Sequence, residues 1–215
     1  MRIAVLGTGE AGRRLASKLV SLGHEVTLGS RSAENPGARE WAAEHRAAHG
    51  TFAAAAAGAE LVVNATGGLV SLAALKAAGA ENLEGKVLVD VANPLDFSQG
   101  MPPKVLTPDG GSLAEQIQRT FPGARVVKTL NTMTNTIMVD PGRIPGDHVV
   151  FVCGDDAEAK EVVTGLLRSF GWPGERILDL GDLSGARATE LVLPLWLRLY
   201  GTFGTAEFNF AVPRA

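Results

Sequence analysis

An open α/β sheet, doubly wound and mostly parallel, with a small C-terminal helical extension, is the fold this sequence predicts. Two observations predict it. Apolar runs of about five residues alternate with amphipathic or alanine-rich stretches along most of the chain, and uniformly apolar strands belong to parallel sheets covered on both faces. The first run, Met1 to Leu6, passes straight into a glycine-patterned turn and then a helical stretch.

Residues 1–6 and 24–29 read as strands and 13–22 as the helix between them. A helix is expected over 35–49, with Pro36 in its first turn. Another is expected over 51–58, where five alanines favour it. The run 61–65 is a strand, broken by Thr66-Gly67-Gly68 before a helix over 69–78. The run 86–91 is a strand stopped by Asn93-Pro94, and 96–111 is a loop. Ser112 and Glu115 form a capping-box pattern opening a helix to residue 121. Strands over 125–128, 149–153 and 177–179 flank a helix over 155–169, with Asp155 expected to cap it. One apolar helix, kinked at Pro194, is expected over 184–203. The expected total is six to eight strands, with residues 1–125 as a first part and 126–215 as a sheet extension packed on it.

The turn Gly7-Thr8-Gly9-Glu10-Ala11-Gly12 is G-x-G-x-x-G. Between a strand and a helix, with a second strand following, this pattern marks a Rossmann-like site for a dinucleotide pyrophosphate. Gly7 permits the tight turn, Gly9 lets the pyrophosphate approach, and Gly12 lets the helix pack on the strand. The helix start aims free N–H groups at the phosphates. Glu10 opposes a phosphate there and is expected to point outward. The second strand ends in Gly29-Ser30-Arg31-Ser32, with no acid until Glu34. An NAD site has an acid there for the ribose hydroxyls. Hydroxyls and a guanidinium suit a 2′-phosphate, so the site is read as one for NADP(H).

Ligands of such sheets sit at the carboxyl ends of the strands. Ala65, Thr66 and Gly67 are placed beside the pyrophosphate and nicotinamide ribose, and Asn93 and Pro94 nearer the nicotinamide. The stretch Thr129 to Asn135, with Asn131 in its middle, adds neutral hydrogen-bonding groups to the same rim.

Other chemistry is missing. The only tyrosine, Tyr200, has no lysine four residues on, which excludes a phenol–lysine proton relay. His45 and His49 could chelate a metal from one helix face, but no third ligand is near, and they read as an exposed face. Cys153 reads as a small buried hydrophobe, and as the sole cysteine it can form no internal disulfide. Lys128 reads as a proton donor at a strand end or as a surface lysine, and no residue is assigned as catalytic. A net charge of −3 shows no nucleic-acid footprint. No apolar run approaches the roughly 18 residues of a membrane helix. Met1 leads directly into a strand with no targeting segment, and the expected location is the cytoplasm. A hydride site without an acid–base dyad suits a redox cofactor as the acceptor, a deazaflavin or flavin whose ring takes hydride directly.

The residues Gly7-Thr8-Gly9 with Gly12, then Gly23-His24-Glu25-Val26 and Gly29-Ser30-Arg31, resemble the NADPH:F420 oxidoreductase family. So do Val152 to Asp156, Leu180 to Arg187, and Glu190. The resemblance implies a Rossmann domain with a small C-terminal part, a homodimer, and hydride transfer between NADPH and coenzyme F420. It implies that Thr8, Gly9, Glu10 and Ala11 line the pyrophosphate, and Ser30 and Arg31 the 2′-phosphate. The chain departs from the family pattern at Asn35, where a basic residue is common, and over Leu130 to Asn135 on the acceptor side. The segments 128–131 and 183–187 also resemble the NADPH domain of membrane metalloreductases, which points to a flavin (FMN or FAD) as the other acceptor. Two alternatives stay open: an imine or carbonyl reductase of a small organic substrate, and a non-catalytic NADP-binding sensor.

Overall fold

The computed structural model describes residues 1–107 and 110–214. Pro108 and Asp109, in the expected loop, and Ala215 lie outside the described residues. The first unit is β1 (Arg2–Leu6), α1 (Glu10–Ser21), β2 (Glu25–Ser30), α2 (Pro36–His45) and β3 (Ala48–Thr51). It continues through α3 (Phe52–Ala57), β4 (Leu61–Asn64), α4 (Gly68–Ala78) and β5 (Val87–Asp90). A small antiparallel hairpin, β6 (Leu95–Asp96) with β7 (Lys104–Val105), precedes α5 (Leu113–Thr120) and β8 (Arg125–Thr129). Then come α6 (Asn135–Val139), β9 (Val150–Cys153), α7 (Ala157–Phe170), β10 (Ile177–Asp179), α8 (Ala186–Leu191) and α9 (Leu193–Phe203).

Eight strands form one sheet in the order β10-β9-β8-β5-β4-β1-β2-β3. The pairs from β3 across to β8 are parallel, while β9 runs antiparallel to β8 and β10 parallel to β9. This is the mostly parallel, doubly wound architecture expected. Its apolar strands are buried on both sides. Leu15, Leu19, Val63, Val89 and Leu167 belong to one core, and Leu6, Val62, Leu75, Leu88 and Ile117 to the other.

Several elements differ from expectation. The helix expected over 35–49 ends at His45, and Ala48–Thr51 forms the edge strand β3. Arg46, in a left-handed conformation, closes α2, so His45 and His49 share no helix face. His45 is half-buried instead. It stacks on Trp41 with ring centres 4.9 Å apart, and its Nε2 lies 2.8 Å from Ser17 Oγ. Asp156, not Asp155, caps α7 by accepting from Ala159 N at 2.8 Å. Asp155 accepts from Leu183 N at 2.9 Å, a contact between distant segments. The single helix expected over 184–203 is two. α8 ends at Leu191, α9 begins at Leu193, and Pro194 sits in the first turn of α9 where its missing N–H does no harm. The capping box at α5 forms as expected: Ser112 Oγ accepts from Glu115 N and the Glu115 carboxylate from Ser112 N.

A buried ionic cluster joins the N-terminal and C-terminal parts. Lys128 Nζ lies 2.8 Å from Asp90 Oδ2 and 2.9 Å from Glu190 Oε1, with all three side chains fully buried. Lys128 also donates to the Ala92 carbonyl. Glu190 accepts from Leu113 N at 2.8 Å and Ala114 N at 3.2 Å, so it also caps the N-terminus of α5. Asp90 accepts from Asn64 Nδ2 at 2.8 Å. One cation faces two carboxylates, and the positive end of the α5 dipole offsets the excess. Burial pulls the Lys128 pKa down, but Asp90 and then Glu190 overcome it and the net shift is upward. Lys128 is therefore a buried, paired cation and not a surface lysine.

Replacing Lys128 with Met leaves two buried carboxylates facing each other. Removing one partner of a buried ion pair costs about 3–5 kcal/mol, a loss that urea denaturation of Lys128→Met is expected to show. A second prediction concerns acid. Hydrogen bonds from Arg187, against some opposing burial and with help from Ser112, hold the Glu115 carboxyl down at about 2, from an ordinary 4.5. A depressed folded-state pKa gives stability that is complete above 4.5 and lost as pH falls through about 2. The half-exposed Arg187 is screened by solvent, so the effect is small. Thermal melts across that window are expected to fall more steeply for the native chain than for Glu115→Gln.

Candidate functional site

The glycine turn shows why its residues are small. Gly7 adopts φ +119°, and a Cβ there would sit 2.5 Å from the Ala65 carbonyl oxygen. A Cβ on Gly12 would run into the Gly7 carbonyl, so the α1 backbone lies directly on the turn. Gly9 is different. It is the N-cap of α1 with φ −71° and ψ 178°, and a Cβ there meets nothing within 4 Å. Neither conformation nor packing requires glycine at Gly9, so the space it leaves above the start of α1 is a cradle open to a ligand. No side chain caps α1, and its first N–H groups are left to donate to an anion. Glu10 is exposed and is met by Asn135 Nδ2 at 3.5 Å. Thr8 is half-buried in the turn.

At the end of β2 the two predicted residues separate. Ser30 is buried, and its hydroxyl donates back to the Ser32 carbonyl, closing the loop. Arg31 is exposed on that loop and forms no ion pair among the described residues. Asn35 caps α2, accepting from Ala38 N at 2.9 Å.

Beside the turn lies a cleft of about 290 Å³ at the carboxyl ends of β4 and β5. Ala11, Ala65, Thr66, Gly67 and Asn93 line it, brought together as the sequence predicts. Sequence reasoning missed the apolar part of the lining. Leu69 and Val70 of α4, together with Phe97 from the hairpin, expose large apolar surfaces there. No residue lining the cleft is titratable. Thr66 is held from below: its hydroxyl donates to Asn64 Oδ1 at 2.7 Å and lies 2.9 Å from Ser71 Oγ. Asn64 in turn is fixed by Asp90 of the ionic cluster.

Pro94 and Asn131 are buried and do not line the cleft. Asn93 Nδ2 donates to the Asn131 carbonyl at 2.7 Å, and Asn131 Nδ2 donates to Asn93 Oδ1 and to the Thr189 carbonyl, both at 3.0 Å. Asn131 thus ties the β5 and β8 ends to α8. The preceding Leu130 is buried with φ +62°, a strained conformation for a leucine. Cys153 is buried, which pushes its thiol up to about 12.

A family model described as NADP oxidoreductase, coenzyme F420-dependent, matches residues 2–94. The F420-dependent NADP reductase of Methanocaldococcus jannaschii is 31% identical over 210 residues, covering 93% of this chain and 92% of that protein. This chain belongs to the coenzyme F420-dependent NADP oxidoreductase family. A crystal structure from Arthrobacter sp. FB24, described as a candidate member of the same family, is 57% identical with a TM-score of 0.94, each chain covered in full. The rat metalloreductase STEAP3 is 31% identical over 205 residues, or 91% of this chain, which spans only 38% of that protein's length. Among the described residues no helix is long and apolar enough to cross a membrane.

The Gly9 cradle supplies a test of the turn. Gly9→Val is expected to keep the fold within about 1 kcal/mol, since the position is extended and open. It is expected to abolish dinucleotide binding, measured by calorimetric titration beside a thermal melt of the same sample.

Proposed function

We propose that this chain is an oxidoreductase moving hydride between NADPH and a deazaflavin, coenzyme F420. The observation that carries the reading is the cleft beside the glycine turn, which has an apolar wall and no titratable side chain. A carbonyl or imine substrate is helped by a positioned proton donor. A deazaflavin or flavin ring takes hydride without one, and needs alignment and exclusion of water.

The residues present fit such a pair of ligands. Gly9 and the free N–H groups of α1 would hold the pyrophosphate, and Arg31 the 2′-phosphate. Thr66, Gly67 and Asn93 would border the nicotinamide end, with Leu69, Val70 and Phe97 as the apolar face for the acceptor ring. When bound, NADPH supplies the hydride. The chain's own part is to fix Thr66 through Asn64 and to keep the cleft dry. The exposed apolar residues Leu195, Tyr200 and Phe203 on α9 support a homodimer, and the family membership supports work in the cytoplasm with residues 1–125 and 126–215 acting as one unit.

The test is NADPH oxidation followed by absorbance with F420, FMN and FAD offered separately and NADH as control. Turnover with NADPH and F420, and little with NADH, is expected. Tight NADPH binding without turnover on F420 overturns the assignment, and turnover on FMN or FAD alone replaces the deazaflavin with a flavin.

A further inference from the structure

We propose that Arg13 is a second specificity residue for the 2′-phosphate, acting from α1 opposite Arg31; this rests on the NADPH reading above. Arg13 and Arg14 leave α1 on different sides. Arg14 Nε donates to Asn135 Oδ1 at 2.6 Å and is occupied toward α6. Arg13 turns toward α2. A Cβ on Gly37, in the first turn of α2, would lie 3.9 Å from Arg13 Nη1 and 3.6 Å from Asn35 Oδ1. The guanidinium therefore reaches the mouth of the loop that carries Arg31 and Ser32.

Arg13 makes no ion pair among the described residues. It shares the α1–α2 cleft with Glu10, Glu40 and Glu44, none of which pairs with it. The only acid in the Arg31 loop, Glu34, is drawn to Arg39 at 3.6 Å. Arg13 thus lies unpaired at the start of α2, next in sequence to the loop that carries the unpaired Arg31 and whose own carboxylate is diverted. A phosphate monoester carries about 1.5–2 negative charges near neutral pH, so one arginine leaves it under-neutralised and a second completes the match. Each planar fork offers charge-assisted bonds that a ribose hydroxyl cannot use as well.

Calorimetric titration of the wild-type chain, Arg13→Gln, Arg13→Lys and Arg31→Gln tests this. The probes are NADPH, NADH, adenosine 2′,5′-bisphosphate and AMP, with a thermal melt of each variant. Arg13→Gln is expected to weaken NADPH and the bisphosphate about tenfold, to leave NADH and AMP within about twofold, and to melt like wild type. Arg13→Lys is expected to recover part of the loss. Equal weakening of all four probes, or no change for NADPH, overturns the role of Arg13 while wild-type preference for NADPH keeps the cofactor reading. Equal wild-type affinity for NADPH and NADH overturns both.

Discussion

A lysine shut away from water between two carboxylates organises this molecule. Lys128 sits at the β8 end, Asp90 at the neighbouring β5 end, and Glu190 comes from α8 more than sixty residues later. Such clusters add little net stability over a well-packed apolar core, because desolvation offsets most of the attraction. Their effect is on alternatives: a register slip in β8 or a displaced α8 would strand a buried charge. Through Glu190 the cluster also caps α5, and through Asp90 and Asn64 it reaches Thr66 at the cleft. The scaffold and the cleft floor are therefore one hydrogen-bonded system.

The cleft and the loop at the β2 end divide the work between neutral and charged groups. The loop exposes a guanidinium and folds its serine hydroxyl inward. The cleft is lined by small residues and apolar bulk, with no ionisable group. Charge that would hold a phosphate is thereby kept away from the place where rings would stack. The Asn93–Asn131 exchange adds rigidity to the rim between them, since each amide is fixed by the other.

Features carried by local pattern were legible in the sequence. The parallel strands announced themselves as apolar runs, the glycine turn by its spacing between strand and helix, and the α5 cap by Ser112 and Glu115. What was missed depends on distant partners. β3 reads Ala-His-Gly-Thr, with no strand-like pattern, and exists because β2 offers it an edge. Glu158 three residues on favours Asp155 as the cap in sequence, yet Asp156 caps the helix while Asp155 accepts from the distant Leu183 N. The cleft's apolar wall includes Phe97, from a stretch whose turn residues suggested only a loop. One signal was available for the ionic cluster. Asp90 ends β5, Lys128 is the penultimate residue of β8, and the two occupy paired register positions, so opposite charges in matching places on apolar runs pointed to each other.

Leu130 bears on how this fold can change over evolutionary time. A leucine at φ +62° gives up about 1–2 kcal/mol relative to a residue at ease there. Glycine would relieve that, yet removing a buried leucine side chain forfeits about 2–5 kcal/mol of packing. The position is a local optimum enclosed by losses. A lineage can improve it only by changing the backbone path after β8 together with the side chain, and the segment beside the cleft is thereby shielded from gradual drift.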